Sequence, residues 1–361
     1  MAALTTMIDW DLAVSTASRL AGPGPSIDRD QAESVVAELR AGAARSTPLV
    51  RDFTGLVAQE RSAPILVVDR AGWIRANADG FARIITPLAD RLRAKRKGTS
   101  GVGDAVGSKV TGLEVGALLG FMSSKVLGQF DPFWAPSGAP EAGRLLLVAP
   151  NIVDVERQLG VDPADFRLWV CLHEETHRVQ FTAVPWLRDH IQSEIEGLVG
   201  EVDLDPSRMA ALLGEAVKRL GDVVRGEEGA SLIDLLSTPK QQETMERLTG
   251  VMSLLEGHAD VVMDGVGPEV IASVAEIRRK FNQRRKGAGY VDRLLRRLLG
   301  LEAKMAQYRD GAAFVRTVVD RVGMVGFNRV WTSPETLPSK AEILDPELWL
   351  SRVHGPPQLD A

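Results

Sequence analysis

Two histidines four residues apart, inside an apolar run, constrain this chain more than any other feature. Cys171–Phe181 reads CLHEETHRVQF. His173 and His177 can share a metal ion only if the segment is helical, because a helix stacks positions i and i+4 on one face. The flanks agree. Asp162-Pro163 is a helix-starting pair, Asp165 suits the positive end of the helix dipole, and Phe166, Leu168, Trp169, Val170 and Leu172 make the segment a buried one. With five histidines in 361 residues, this register is a specific signal. Glu174 sits beside the first histidine, where its carboxylate reaches a metal-activated water without filling a coordination position. Glu174 is therefore the candidate general base, and His173 and His177 are candidate zinc ligands.

Zinc takes a third protein ligand and leaves a fourth position for water. The candidates lie in Leu254–Asp264, LLEGHADVVMD. Glu256 and Asp260 share a helical face, while His258, two residues from Glu256, faces the other side. Glu256 and His258 are rival third ligands, and a regular helix admits one of them. The E-x-x-x-D pattern is similar to that of gluzincin metallopeptidases, which implies that Glu256 binds zinc and Asp260 orients a ligand histidine from outside. Gly257 leaves room for a neighbouring helix. The residue six after His177 is Ala183, which excludes the metzincin histidine. His190 reads as a surface histidine beyond Pro185.

The rest of the chain predicts a mainly α (α+β) fold. Helices are expected over Asp9–Leu20, Gln31–Ala44 with Ser26 or Asp28 as cap, and Asn77–Lys97 apart from Pro87. Others are expected over Pro163–Phe181, Leu187–Gly200, Ser207–Arg225, Gln241–Asp264 and Pro268–Lys286, with one or two in Tyr290–Gly323. Pro64–Asp69 and Arg144–Ala149 read as short strands, the second being the clearest in the chain and leading to the histidine helix. Gly98–Gly107 reads as a loop or a boundary between a helical N-terminal lobe, 1–97, and a metal-binding region, 98–361, the two expected to form one compact unit. It lacks the GxxxxGK[ST] phosphate loop, and Gly101-Val102-Gly103 alone is a weak nucleotide signal.

Composition removes several functional classes. A net charge of −5 argues against a broad nucleic-acid surface. The basic runs Arg91–Lys97 and Arg278–Lys286 read as solvated helix faces, and the amphipathic Arg293–Leu299 as core-facing. A single cysteine, Cys171, permits no internal disulfide and fits a reducing, cytoplasmic compartment. No signal peptide is visible in the first ten residues. The best membrane candidate, Val110–Phe130, is interrupted by Glu114 and Lys125. It reads instead as a buried helix whose Gly112, Gly116 and Gly120 allow close packing.

HEETHRVQF, the following PWL, and EGHADVVMD resemble a zincin-like bacterial family of zinc-dependent metallopeptidases or hydrolases. IDWDLAVSTASRLAGPGP, VVDRAGWIRAN and FNRVWTSPETLPS resemble it too, so the likeness covers nearly the whole chain. In actinobacteria the family also carries a label of association with biosynthesis of the deazaflavin coenzyme F-420. The resemblance implies a zincin-like fold with a small sheet beside the HExxH helix, a Zn²⁺ cofactor and a peptide or amide substrate. A sheet's edge strand flanks the active-site helix in zincins. A metal-stabilised accessory protein of a cofactor pathway and a small-molecule amidase are the alternatives. Tyr290, Tyr308 and Arg329 are candidate oxyanion donors, and Trp169, Trp186 and Trp331 read as core.

Overall fold

The computed structural model describes residues 8–57, 63–95, 102–135, 143–200, 238–286 and 301–355. The expected helix at Ser207–Arg225, the amphipathic Arg293–Leu299 and Tyr290 lie outside these residues, as do most of the 98–107 linker's side chains. The chain divides into two compact units. The first is Met1–Arg188 with Val262–Arg285, and the second is Asp189–Val261 with Lys286–Ala361. The fold is mainly helical, with one three-stranded sheet among the described residues.

In the first unit, Asp9 caps α1 (Trp10–Leu20) by accepting the Leu12 N–H at 3.0 Å. Asp28 caps α2 (Arg29–Thr54) in the same way. That helix runs ten residues past its expected end and carries Pro48 inside. An interior proline costs roughly 3 kcal/mol. The buried row Leu39, Ala43, Ser46, Val50 and Thr54 continues across it, and burial of that row offsets the cost. After β1 (Ile65–Val68), Asp69 takes the Gly72 N–H and starts α3 (Arg70–Lys95), ahead of the start expected at Asn77. Next, α4 (Val102–Ser123) lies against α1 through its glycine row: a Cβ on Gly116 would meet the Ala13 carbonyl oxygen at 2.7 Å. The opposite side exposes Val110, Leu113, Leu118 and Met122, so this helix is buried on its glycine face alone.

The sheet has the order β1–β3–β2, with β2 at Gly128–Asp131 and β3 at Arg144–Val148. The central β3 runs parallel to β1, with Ile65 opposite Leu145, and antiparallel to β2, with Gly128 opposite Leu147. All five β3 residues are buried, as the continuous apolar run predicts. A buried ion pair, Arg144 Nε to Asp131 Oδ2 at 3.1 Å, ties its start to β2. Burial pushes the Asp131 carboxyl up, against the pull of Arg144. Directly after β3, α5 (Ala149–Leu159) uses Pro150 in its first turn. Then α6 (Pro163–Ala183) begins at its Asp162 cap and carries the histidine motif. It packs on α2, where Gly42 sits against Cys171, and α7 (Pro185–Gly200) follows.

One long helix, α8 (Pro239–Val270), supplies residues to both units. The expected start at Pro268 is inside it. The chain breaks instead near Ser273, whose N–H and hydroxyl both donate to Asp165 Oδ2, before α9 (Val274–Lys286). On α9 the basic residues bond within the first unit: Arg278 pairs with Asp264, Lys280 with Glu276, and Arg284 donates to Gln158.

In the second unit, α10 (Leu301–Phe327) leads through two short 3₁₀ turns to α11 (Lys340–Leu344) and α12 (Pro346–His354). Gly257 and Gly311 let α8 and α10 meet at their backbones, since a Cβ on Gly257 would fall 2.2 Å from the Gly311 carbonyl carbon. The expectation that Gly257 admits a neighbouring helix is thus met. Among the described residues no helix is long and apolar enough to cross a membrane.

Candidate metal centre

Helix α6 holds His173 and His177 with their rings perpendicular, at 89°, and their centroids 4.7 Å apart. Their Nε2 atoms face each other at 3.2 Å. Each outer nitrogen is engaged: His177 Nδ1 lies 3.0 Å from Gln180 Oε1, and His173 Nδ1 lies 3.3 Å from Met263 Sδ. An amide oxygen and a thioether sulfur only accept, so both contacts favour Nδ1–H. Two Nε2 lone pairs then converge, an arrangement that a shared cation relieves. A tetrahedral zinc with Zn–N bonds of roughly 2.0–2.1 Å separates two nitrogens by about 3.3 Å. The donor pair therefore fits the metal that the motif implies.

Helix α8 carries Glu256, the candidate third donor. Glu256 precedes Met263 by seven residues, close to two turns, so the face that brings Met263 to His173 also carries Glu256. Ligand atoms of His173, His177 and Glu256 all lie within 4.8 Å of one another, and this is the metal-capable His/Cys/Asp/Glu group among the described residues. The rival, His258, is fully buried. Its ring stacks on Phe327 at 5.3 Å and meets the edge of Trp331 at 5.5 Å. Asp260 Oδ2 accepts from Arg316 at 3.1 Å, with both side chains partly exposed.

Glu174 is buried on α6 against the edge strand β2. A Cβ on Gly128 would lie 2.5 Å from its Cγ and 2.6 Å from its Cδ. The strand preceding the motif, Arg144–Val148, is central in the sheet, and the edge strand beside the helix is one that sequence reading missed. Glu175 and Arg178 form a bidentate ion pair on α6, with Nε–Oε2 at 2.8 Å and Nη2–Oε1 at 2.5 Å, and Arg178 also donates to Thr47. Burial, reinforced by Glu174 and Glu175, pushes the Cys171 thiol up to about 12. The thiolate, the nucleophilic form, is thereby disfavoured at this position.

Sequence reading did not single out Gln180, Met263 or Gly128. Gln180 carried a usable signal, since it stands one turn after His177 on the same face. Of the proposed oxyanion donors, Arg329 Nη1 donates to the Val353 carbonyl at 3.2 Å, while the side chain of Tyr308 is outside the described residues. Trp169 and Trp331 are core residues, Trp169 stacking on Phe166, whereas Trp186 is half-buried.

This site, a histidine pair and a carboxylate on a helix beside a small sheet, defines a metallohydrolase class. Residues 8–350 match the family described as zincin-like metallopeptidase, and the chain belongs to that family. A solved structure from Chloroflexus aurantiacus, described as "a putative hydrolase with a novel fold", is 31% identical with a TM-score of 0.70. The alignment covers 97% of this chain and 100% of that one. No curated protein matches.

Proposed function

We propose that the chain is a zinc-dependent hydrolase that cleaves a peptide or amide bond, with His173, His177 and Glu256 holding the metal and Glu174 as general base. The observation that carries this reading is the convergence of two Nε2 atoms at 3.2 Å, each with its Nδ1 already engaged. A zinc ion bound there supplies Lewis acidity, acidifying water and polarising the scissile carbonyl. Glu174 takes the proton of the attacking water and delivers it to the leaving nitrogen. Its burial against β2 keeps the carboxylate from swinging away. Asp260, one turn beyond Glu256 and paired with Arg316, is assigned the role of orienting a ligand histidine from outside. The family's name supports a peptide or amide substrate, and the single cysteine supports a cytoplasmic location. The coenzyme F-420 association stays where the sequence resemblance put it.

The test is Glu174→Gln, assayed on a peptide library alongside zinc content. Hydrolysis falls by about 10²–10⁴-fold while zinc stays bound. Activity equal to wild type contradicts the assigned base.

A further inference from the structure

We propose that Gln180 is a positioning residue that selects the metal-binding tautomer of His177; the inference rests on the metal reading above. Gln180 is fully buried and stands on the next turn of α6. Its Oε1 accepts from His177 Nδ1 at 3.0 Å. A neutral imidazole carries one proton, so a proton held on Nδ1 leaves the Nε2 lone pair directed at His173. The reversed amide would donate its N–H to Nδ1, move the ring proton to Nε2, and abolish the donor.

On His173 the contact at the corresponding nitrogen is to sulfur rather than oxygen. That Nδ1 meets the Met263 thioether at 3.3 Å, and sulfur is a weak acceptor. Of these two contacts the firmer is the one to Gln180, since an amide oxygen is the stronger acceptor. Outer partners of metal-bound histidines fix ring orientation and tautomer, and their loss typically weakens metal binding by about 10–100-fold.

The experiment compares wild type, Gln180→Leu and Gln180→Glu. Long-range ¹H–¹⁵N correlation spectra of the zinc-free proteins read the His177 tautomer directly, and competition with a chelating dye reads zinc affinity. With five histidines in the chain the spectrum is assignable. The account expects Nδ1–H in wild type and in Gln180→Glu, whose carboxylate can only accept. It expects loss of that preference in Gln180→Leu, with zinc Kd raised about 10–100-fold, and Kd in Gln180→Glu no higher than in wild type. An unchanged tautomer and Kd in a folded Gln180→Leu overturns the proposal. Should that variant not fold, an Nε2–H tautomer in wild type, or weakened zinc binding in Gln180→Glu, overturns it equally. A wild type that binds no zinc refutes the metal reading and is distinct from each of these results.

Discussion

Gly128 lies against the side chain of Glu174 so closely that a Cβ there would come within 2.5 Å of Cγ. Gly128 is on the edge strand β2, and Glu174 is on the motif helix α6. The glycine is what allows strand and helix to approach with a carboxylate between them.

Gly128→Ala therefore displaces either the strand or the glutamate. Overpacking of this kind costs about 1–3 kcal/mol. The expected outcome is a lowered denaturation midpoint and lowered kcat, with zinc content unchanged because the histidines are untouched. Wild-type kcat in this variant would show that the contact does not position Glu174.

Arg178 and Glu175 are both almost completely removed from solvent. Removing one member of a buried pair leaves an uncompensated charge and costs about 3–5 kcal/mol. Arg178→Met is expected to lose that much in urea unfolding. The double variant Glu175→Leu/Arg178→Met recovers most of it, since a buried pair adds little over apolar packing. A single variant as stable as wild type would contradict the account.

Glu342 gives a pH signature in the second unit. Burial pushes its carboxyl up, but Arg352, bonding both oxygens at 2.6 and 3.1 Å, and Ser339 outweigh that and leave it below its ordinary value. The unfolded chain then takes up this proton at higher pH than the folded one. The stabilisation is fully present above about pH 4.5 and is lost as the pH falls through the folded value. Urea midpoints measured from pH 7 down to pH 3 should fall less steeply in Glu342→Gln than in wild type. Equal slopes would contradict the assignment.

The histidine pair was legible because its signal is local: a spacing of four, an Asp-Pro start and an apolar run all act within one helix. Glu256 was only half legible. Helical periodicity separates its face from that of His258 but does not choose between them; the packing of His258 on Phe327 and Trp331 comes from segments distant in sequence and disfavours His258 as the ligand. Strand β2 was not legible, because GQFD lacks β-branched alternation and is a strand only through its pairing with β3. The run of α2 through Pro48 likewise depends on tertiary burial that overrides a local preference.

The central claim is the identity of the metal site, and metal content tests it most directly. Wild type, Glu256→Ala and His258→Phe would be purified without chelators or a histidine tag, loaded with zinc, and measured by inductively coupled plasma mass spectrometry. The account predicts about one zinc per chain in wild type and His258→Phe, and loss of zinc in Glu256→Ala. Zinc retained in Glu256→Ala but lost in a folded His258→Phe, or absent from loaded wild type, would contradict it.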